Sequence, residues 1–450
     1  MSNKGISQNA MQNWSNVYLR NCVSTLKSGL SRRIVEQDIG IPVITSGNLK
    51  NGKFDTSRFK YWYVKDPQGA FTESYVLDDG DILLNFINSV EKIGKVCIFK
   101  EIGRPCIYTT NLFRIKPSEL TTQEFLYFLL SSGGVEKEIK AITKPAINQA
   151  SFTTGDFLGI QVKLPPIIIQ NKIVKILEAI DRAIASTEAL IEKYQHVKAG
   201  LMHDLFTRGI GADGKLRPPR EQAPELYKES AIGWIPKEWE ALRLRDILEE
   251  SGGKLQTGPF GSQLHAYEYT LEGVPFVMPQ NIINGKIDEL GIARIPENRA
   301  QTLYQHRLKI GDIIIARRGE LSRAAAISKI EEGWVCGSGC FLLRLGGNSL
   351  DARFFSLLYR HTFVQGQVAG LAVGSTMPSL NNEVMGKLIF PYMSKTEQTA
   401  IADRVELIGA RINTLTLELI KSSKQKSGLM HDLLTGKVSV TPDSTAITYV

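Results

Sequence analysis

The chain has 450 residues, enough for two or three domains that each bury a core of their own. Its composition, 43% hydrophobic and 22% charged, is ordinary for a globular protein in water. No apolar run approaches the roughly 20 residues of a membrane span, and the first residues lack the apolar core of a signal peptide, so we expect a cytoplasmic protein. The net charge of +8 suits a polyanionic partner, although the sequence contains no polybasic block.

The cysteines are few and odd in number, which argues against a disulfide framework. The two that lie closest together, Cys336 and Cys340, have no second pair of cysteines or histidines at the spacing of a zinc site. We therefore expect reduced core residues at Cys22, Cys97, Cys106, Cys336 and Cys340.

The N-terminal part of the chain, residues 1–165, is predicted to be a mixed α/β domain. Short β-rich runs such as DILLNFI (81–87) alternate with amphipathic stretches such as TQEFLYFLL (122–130), the patterns of strands and helices. The Asn51-Gly52 dipeptide indicates a tight hairpin turn, because both residue types tolerate a positive φ.

One long helix is predicted to follow over residues 166–208. Its apolar positions alternate at spacings of four and three, and this 3.5-residue repeat makes the narrow stripe of a coiled coil. A helix packed only on its own domain would show a wider stripe. The seam residues of this helix are Ile173, Leu177, Ile180, Ile184, Ile191, Leu201 and Leu205.

The second half of the chain repeats the first after a segment, residues 209–233, whose glycines, prolines and charges predict an exposed connector. The matched stretches are PVITSGNLKNGKF (42–54) with PFVMPQNIINGKI (275–287), LDDGDILLN (77–85) with LKIGDIIIA (308–316), and TKPAIN (143–148) with TMPSLN (376–381). We therefore predict a second mixed domain over 234–391, a second coiled-coil helix over 392–437 and a tail over 438–450.

The second helix keeps the heptad register of the first. Its seam residues are Ile401, Val405, Ile408, Ile412, Leu415, Leu419, Leu429 and Leu433. Both helices also carry a lysine at the same seam position, Lys198 and Lys426. Pseudo-twofold symmetry between the halves would oppose the helices, so the predicted fold is α+β, with two duplicated mixed domains separated by a long antiparallel two-helix coiled coil. About 33 residues at a rise of ~1.5 Å would give a rod of roughly 50 Å.

Near the helix ends, GLMHDLFTRG (200–209) and GLMHDLLTGK (428–437) each contain a His-Asp pair. A metal-dependent hydrolase would need further ligands, and the six histidines of the chain form no ligand spacing on one helix face. GNLKNGK (47–53) has the spacing of a phosphate-binding loop but lacks the Ser or Thr that should follow. Without a cofactor loop or a nucleophile elbow, the chain is predicted to be a binding protein with no catalytic residue and no metal site.

The two-copy layout resembles the specificity subunit of type I restriction–modification systems over nearly the whole chain. The stretches that carry the resemblance are TGPFGSQLHAYEY (257–269), TMPSLN (376–381), LPPIIIQNKIVKIL (164–177), KESAIGWIPKEWE (228–240) and the paired GLMHDL segments. The resemblance implies that each mixed domain is a target-recognition domain for one half of a split, asymmetric DNA sequence. It also implies that the coiled coil sets the spacer and that the chain has no catalytic activity.

The resemblance implies partners as well. Two modification subunits would dock on the helices, carry S-adenosylmethionine and methylate an adenine in each half-site. Two restriction subunits would join them and cleave double-stranded DNA with ATP and magnesium, so no cofactor is expected on this chain. Two other classes of function stay open at this point: a coiled-coil scaffold whose domains bind proteins, and a hydrolase that uses the His-Asp pairs.

Candidate DNA-reading residues are polar or cationic and lie on predicted loops. The loop after the shared Gly-Asp-Ile strand reads ARRGELSR (316–323) in the second copy and NFINSVEK (85–92) in the first, so the loop chemistry differs on a common scaffold. The first-copy candidates are Ser31, Arg32, Arg33, Ser46, Asn48, Lys50, Asn88, Lys144 and Asn148. The second-copy candidates are Gly261, Ser262, Gln263, His265, Gln280, Asn281, Arg317, Arg318, Thr376, Ser379 and Asn381. Solvated loop charges, or caps of the following element for the last three, are the alternatives.

Overall fold

The computed structural model describes residues 14–50, 52–145, 149–259, 263–347, 350–371 and 379–441. The chain divides into two compact units. Unit 1 comprises Met1–Ala189 and Leu417–Val450, and unit 2 comprises Leu190–Thr416. The division passes through the middle of both long helices, so each unit holds one mixed α/β domain together with a stretch of each helix.

Unit 1 begins with the first mixed domain. Its strands are β1 (Ser15–Tyr18), β2 (Val23–Ser28), β3 (Gly40–Ile44), β4 (Leu49–Lys50), β5 (Lys53–Phe54), β6 (Lys60–Tyr63), β7 (Ile82–Asn85), β8 (Ile87–Asn88), β9 (Val96–Ile98), β10 (Ile107–Tyr108), β11 (Leu112–Pro117), β12 (Lys144–Pro145), β13 (Ala150–Ser151) and β14 (Gln161–Leu164). Its helices are α1 (Leu19–Cys22), α2 (Gln123–Leu130), α3 (Gly133–Ile142), α4 (Thr154–Leu158) and the first part of α5 (Ile167–Thr207).

Two sheets form the body of the first domain. An antiparallel sheet has the order β2-β11-β7-β9, and a second sheet, β10-β3-β6, pairs β3 with β10 in parallel. Alternate residues of β11 face opposite sides, as the two-residue period of a strand requires. Phe113 and Ile115 therefore pack against α2 and the long helices, whereas Leu112 packs in a separate core with Tyr108.

Unit 2 contains the second mixed domain. Its strands are β15 (Tyr227–Ser230), β16 (Gly233–Pro236), β17 (Glu240–Arg243), β18 (Lys254–Thr257), β19 (Val274–Val277), β20 (Ile282–Ile283), β21 (Lys286–Ile287), β22 (Ala293–Ile295), β23 (Asp312–Ala316), β24 (Ala324–Ala326), β25 (Val335–Cys336), β26 (Cys340–Arg344) and β27 (Ile389–Tyr392). Its helices are the last part of α5, α6 (Leu244–Ser251), α7 (Glu297–Thr302), α8 (Ala352–Tyr359), α9 (Thr362–Leu371), α10 (Asn382–Lys387) and the first part of α11 (Lys395–Leu434).

The duplication predicted from the sequence is confirmed by the sheet topology. The four-stranded sheet of unit 2 has the order β18-β26-β23-β24, strand for strand the counterpart of β2-β11-β7-β9. The parallel pair β3–β10 recurs as β19–β25. The Asn-Gly dipeptide makes a hairpin between β20 and β21, where Asn284 and Gly285 have φ values of 51° and 80°, as expected for this turn.

The repeated Gly-Asp-Ile sequence has a structural cause in both units. Gly80 and Gly311 adopt φ values of 89° and 85°, which glycine tolerates at little cost. The aspartate that follows is buried and closes the turn: Asp81 Oδ2 accepts from Asp78 N at 2.9 Å, and Asp312 Oδ2 accepts from Lys309 N at 2.8 Å. The Gly-Asp-Ile motif therefore forms the turn that starts a strand and is not part of a reactive site.

The two long helices lie antiparallel within each unit. In unit 1 the end of α11, at Leu433, packs in one core with Ile173 and Leu177 near the start of α5. In unit 2 the end of α5, at Leu205, packs in one core with Ile401 near the start of α11. All fifteen predicted seam residues are buried or half-buried, whereas off-seam Leu407 and Leu417 are 73% and 68% exposed. The heptad prediction is confirmed.

A buried glutamine anchors the start of each long helix. Gln170 is fully buried; its Nε2 donates to the carbonyls of Leu120 and Pro165 at 2.9 Å, and its Oε1 accepts from Thr122 N at 3.1 Å. Gln398 repeats this pattern in unit 2, where Nε2 donates to Met393 O and Oε1 accepts from Asp351 N, both at 2.9 Å. The glutamine ties each long helix to the N-terminus of α2 or α8, which the sequence analysis did not foresee.

A glycine ends each long helix against a tryptophan ring. Gly209 follows α5 and Gly436 follows α11, with φ values of 65° and 72° that suit a left-handed helix end. A Cβ on Gly436 would lie 3.3 Å from the Trp14 ring, and a Cβ on Gly209 would collide with Trp239. Thr207 and Thr435 each donate from Oγ1 to the carbonyl of the histidine four residues earlier. The GLMHDL repeats are therefore helix ends.

The exposed connector predicted over 209–233 is wrong for several of its residues. Ile210, Arg217 and Tyr227 are only 5%, 7% and 5% exposed. The Arg217 guanidinium donates to Glu397 Oε1 at 2.5 Å, and Tyr227 Oη donates to Pro218 O at 2.5 Å. The segment packs into unit 2 because a buried ion pair and a hairpin hold it there, which a composition rich in glycine and proline does not reveal.

The five cysteines are free and buried, as expected for core residues. Burial raises the pKa of the Cys22 and Cys106 thiols to about 11, so these groups stay protonated at neutral pH. No helix within the described part of the chain combines the length and the apolar character needed to cross a membrane.

Candidate nucleic-acid interface

Several loops of unit 2 that carry predicted DNA-reading residues meet at one place. Arg317 N donates to Gly339 O at 2.8 Å, and Leu380 N donates to Arg317 O at 3.0 Å. The Arg323 guanidinium donates to the carbonyls of Pro279 and Gln280 at 3.2 and 3.3 Å. The loops around residues 278–281, 317–323, 337–339 and 379–381 therefore form one surface, which we call the unit 2 loop surface.

The two adjacent arginines on the unit 2 loop surface, Arg317 and Arg318, differ in exposure and in hydrogen bonding. Arg317 is half-buried, and its Nε donates to Leu380 O at 2.9 Å. Burial lowers the pKa of Arg317, and the neighbouring charge of Arg318 lowers it further. The side chain of Arg318 is exposed and has no hydrogen-bond or ion-pair partner within the described residues. Arg318 is therefore free to reach a base edge or a phosphate, whereas Arg317 also holds the loop in place.

Two asparagines that the sequence placed among the DNA-reading residues are buried instead. Asn48 is 4% exposed, and its Nδ2 donates to the carbonyls of Asp55 and Arg58 at 2.9 and 2.7 Å. Asn281 is 5% exposed, and its Oδ1 accepts from Met278 N at 2.9 Å. Both amides hold the turn that precedes the Asn-Gly hairpin, so the structure corrects their assignment from base reading to loop support.

The candidates around residues 376–381, and those on two other loops, differ in what the structure shows of them. Asn381 caps α10, because its Oδ1 accepts from Val384 N at 2.8 Å, so the capping alternative is confirmed for this residue. Ser379 is exposed and bridges the backbone of Arg318. Asn148, Gly261, Ser262 and Thr376 lie outside the described residues.

The remaining unit 2 candidates lie on exposed loops. Gln280 has an exposed side chain, and the Gln263 carbonyl accepts from Arg299 Nη2 at 2.6 Å. The His265 ring stacks on the Tyr267 ring, with centroids 5.1 Å apart and an interplanar angle of 11°. Tyr267 is 83% exposed. This aromatic pair offers a flat face to a base or sugar, a feature that the sequence analysis missed at Tyr267.

In unit 1 a concavity of about 430 Å³ brings two groups of candidates together. Ser31, Arg32, Arg33 and Ser46 line it, together with four polar residues that the sequence analysis missed, Thr45, Thr109, Thr110 and Asn111. Arg32 Nε pairs with the buried carboxylate of Asp66 at 2.9 Å, so this arginine is partly structural. Arg33 is exposed and has no side-chain partner in the part of the chain that the structure describes.

The other unit 1 candidates are less concentrated. Asn88 lies in β8, half-buried, and its Oδ1 accepts from Ser89 N at 2.8 Å. Lys144 is 74% exposed with Asp156 at 3.5 Å, and Lys50 pairs with Asp55. Asn88 and Lys144 share the small sheet β12-β13-β8, so the structure brings these two near each other. None of these three residues lines the concavity that contains Arg33.

The His-Asp pairs show no geometry of a metal centre. Asp204 pairs with Arg208 at 3.2 Å, and Asp432 pairs with Lys437 at 3.4 Å. Within the residues described, no cluster of three or more His, Cys, Asp or Glu side chains could hold a metal ion. Both carboxylates instead neutralise a cation just beyond the helix end.

Comparison with known proteins identifies the repeated domain. The model for the type I restriction modification DNA specificity domain matches residues 25–195 and again residues 236–422. A Methanocaldococcus jannaschii chain named as the MjaX type I restriction enzyme specificity subunit is 28% identical, over 95% of this chain and 94% of its own length. The MjaVIII specificity subunit of the same organism is 25% identical, over 81% of this chain and 80% of its own length.

Two solved structures share the fold. The S subunit of a type I restriction–modification system from M. genitalium superposes with a TM-score of 0.57 at 15% identity, over 94% of this chain and 96% of that chain. A chain from a study of complex assembly and conformational transition of the type I system superposes with a TM-score of 0.55 at 15% identity, over 95% and 99%.

Proposed function

Since the chain belongs to the family of type I restriction–modification DNA specificity subunits, we propose that its two mixed domains read different halves of one bipartite DNA target. One observation carries this proposal. The strands β7 and β23 occupy the same place in matched sheets, yet the segment after β7 carries Asn88, in the short strand β8, whereas the loop after β23 carries Arg317-Arg318. Two equal scaffolds with different loop chemistry suit two different base sequences, whereas an identical pair would suit a palindrome.

The direct reader that we favour in unit 2 is Arg318. An exposed guanidinium without an internal partner can donate two hydrogen bonds to guanine or clamp a phosphate. In unit 1 we favour Arg33, with Thr110 and Asn111 beside it, because they line one concavity with Ser31 and Ser46. Asn48, Asn281 and Asn381 support the loops in this proposal and do not touch bases.

The long helices would serve as the spacer and as the docking surface for other subunits. Their seam is buried within each unit, but Leu407, Leu417 and Ile420 are 73%, 68% and 49% exposed. Apolar side chains on a helix surface suit contact with partner helices. We propose that two modification subunits dock there and that restriction subunits join the assembly.

We propose that this chain recognises DNA and catalyses no step itself. The reactions would belong to the partners: S-adenosylmethionine on the modification subunits for adenine methylation, and ATP with magnesium on the restriction subunits for cleavage. Two features support this proposal. The sequence contains no cofactor motif, and each unit carries an exposed arginine on a loop surface, Arg33 in unit 1 and Arg318 in unit 2.

The test is methylome sequencing of cells that express this chain with its modification subunit. We expect methylated adenines within one bipartite, asymmetric motif. Arg318→Ala should relax or weaken recognition in one half-site only, by about 1–3 kcal/mol if a bidentate base contact is lost. Lys329→Ala is a matched control, because Lys329 is also an exposed cation but lies beyond the opposite end of β24.

Methylation without a bipartite motif would contradict the proposal. So would an Arg318→Ala variant that changes both half-sites alike, because a single loop surface would then not be dedicated to one half. If the chain binds partner proteins and neutralised arginines leave every interaction intact, the coiled-coil scaffold is the better explanation.

A further inference from the structure

The lysine that recurs at the same seam position has different neighbours in the two units. In unit 1, Lys426 Nζ lies 2.6 Å from Asp181 Oδ1, and the same ammonium lies 5.9 Å from the centre of the Phe128 ring. An acid therefore neutralises this lysine. The helix position that corresponds to Asp181 in the second half of the chain is Gly409, as the register 178-EAID-181 and 406-ELIG-409 shows.

In unit 2 the equivalent lysine is Lys198, and Gly409 stands at the position that Asp181 occupies in unit 1. A Cβ on Gly409 would lie 3.7 Å from Lys198 Nζ, so a carboxylate at this position would reach the ammonium as Asp181 does in unit 1. Two cations act on Lys198 instead. Burial lowers the pKa of Lys198, and the charges of Arg360 and Lys286 lower it further.

Arg360 and Lys286 are held close together by the backbone. The Arg360 guanidinium packs against Gly285 so closely that a Cβ there would collide with it. Gly285 is the second residue of the Asn-Gly turn, and Lys286 follows at the start of β21. Arg360 comes directly after α8, and burial lowers its pKa.

Lys198, Lys286 and Arg360 form a cluster of positive charge. Within the described residues, no hydrogen bond or ion pair joins any of these three side chains to a carboxylate. The neighbouring acids are already engaged: Glu406 and Asp351 pair with Arg353 at 2.9 and 3.0 Å, and Glu289 pairs with Arg294 at 2.5 Å. Lys198 and Arg360 are half-buried, whereas Lys286 is exposed. Half-buried charges without a partner are costly, and an anion from outside would relieve that cost.

We propose that Lys198, Lys286 and Arg360 bind a phosphate group. Gly285, Lys286 and Arg360 line an open cleft of about 1060 Å³ in unit 2, which leaves room for a ligand beside the guanidinium. The planar guanidinium suits two phosphate oxygens, and two ammonium groups can reach the others, whereas a carboxylate has only two oxygens to share among three cations. The group comes from a DNA backbone or from free phosphate.

The first experiment measures the affinity of the full chain for inorganic phosphate by calorimetry, with chloride replaced at constant ionic strength. We expect saturable binding to the wild type and affinity at least tenfold weaker in Arg360→Met and in Gly409→Asp, which restores the acid found in unit 1. Lys329→Met is the matched control, because it removes an exposed lysine of the same cleft that has no place in the cluster. Its affinity should equal that of the wild type.

The second experiment separates the two sources of phosphate. Each phosphate contact on duplex DNA adds ~0.9 to the slope of log affinity against log salt. If a DNA phosphate occupies the site, Arg360→Met and Gly409→Asp should each lower this slope by about one on random-sequence duplex. An unchanged slope with lost binding of inorganic phosphate assigns the site to a free phosphate.

No preference of the wild type for phosphate over chloride, together with an unchanged DNA slope in both variants, would overturn the proposal. That result would leave the proposed function intact, because half-site recognition is read from the methylated motif. Arg360→Met and Gly409→Asp test the site in opposite ways, by removal of a cation and by addition of an acid, so a folding defect in one variant leaves the other informative.

Discussion

Units 1 and 2 carry the same scaffold but differ in their charges. Features that the backbone requires recur in both units. They are the Gly-Asp turn before a strand, the buried glutamine at the start of each long helix and the glycine that ends each long helix against a tryptophan. Ion pairs do not recur in the same way. Lys426 has Asp181, whereas Lys198 faces Gly409, and the reading loops exchange Asn88 for Arg317-Arg318. Steric requirements tolerate few substitutions, whereas surface and seam charges can change without loss of the fold.

The starts of the two long helices show the same contrast inside the protein. In unit 2, Glu397 accepts from Arg217 at 2.5 Å, from Ile210 N at 2.7 Å and from Trp239 Nε1 at 3.1 Å. The corresponding position in unit 1 is Ile169, which packs against the hydrophobic core there. The first turn of the long helix is therefore held by a buried polar cluster in unit 2 and by an apolar contact in unit 1.

The largest effect is expected from Glu397→Leu, which gives unit 2 the apolar residue type of unit 1. Arg217 is 7% exposed, so the variant leaves a buried guanidinium without its main acid and should lose about 3–5 kcal/mol of unfolding free energy. Urea unfolding of the full chain measures the loss, and hydrogen exchange assigns it to unit 2. Glu238→Gln is the control, because the Glu238 side chain is 72% exposed and should contribute less than ~1 kcal/mol.

If Glu397→Leu is as stable as the wild type, the polar cluster around Glu397 contributes no net stability. The polar and apolar contacts at the two helix starts would then be energetically equivalent. Arg217→Met combined with Glu397→Leu distinguishes the causes. The double variant should recover part of the loss, because it removes the stranded charge together with its partner.

A smaller effect, equal in the two units, is expected from the buried glutamines. Gln170→Leu and Gln398→Leu each leave backbone groups at a helix start without partners, so each should cost about 2–3 kcal/mol. Gln195→Leu, at an exposed position of α5, is the control and should change stability by less than ~0.5 kcal/mol. Equilibrium unfolding measures all three. A large loss for one glutamine only would show that the two anchors are not equivalent despite their matched hydrogen bonds.

Local periodicity predicted much of the fold. The heptads of α5 and α11, the hairpin turn at Asn284-Gly285 and the matched order of motifs depend on residues close in sequence or on internal comparison, and these predictions were confirmed. The connector could not be predicted in the same way. Its burial depends on Arg217 meeting Glu397, which lies 180 residues away, and no local pattern contains such a contact.

The candidate interface was predictable by region but not by residue. The polar loop after β23 was correctly placed at a strand end, whereas the stretch predicted as the matching loop after β7 contains the short strand β8. Asn48 and Asn281 proved to be buried supports. An asparagine that reads a base and one that closes a turn have the same letter and the same flanking sequence. Only the hydrogen bonds of the folded chain distinguish Arg317, whose Nε donates to Leu380 O, from Arg318, whose exposed side chain has no partner among the residues that the structure describes.

The smallest effect is expected at the seam lysine of unit 1. Asp181→Ala should cost only about 0.5–1 kcal/mol, because Lys426 and Asp181 are 25% and 35% exposed and water screens the pair. The loss should shrink as salt rises, since the interaction is Coulombic. Glu178→Ala is the matched control on the same helix: its pair with Arg182 spans 3.7 Å at a more exposed place, so its loss should be smaller still. Urea unfolding at low and high salt measures both variants. A salt-independent loss in Asp181→Ala would mean that Asp181 acts through packing, and Lys426 would then not differ from Lys198 in its need for a counter-charge.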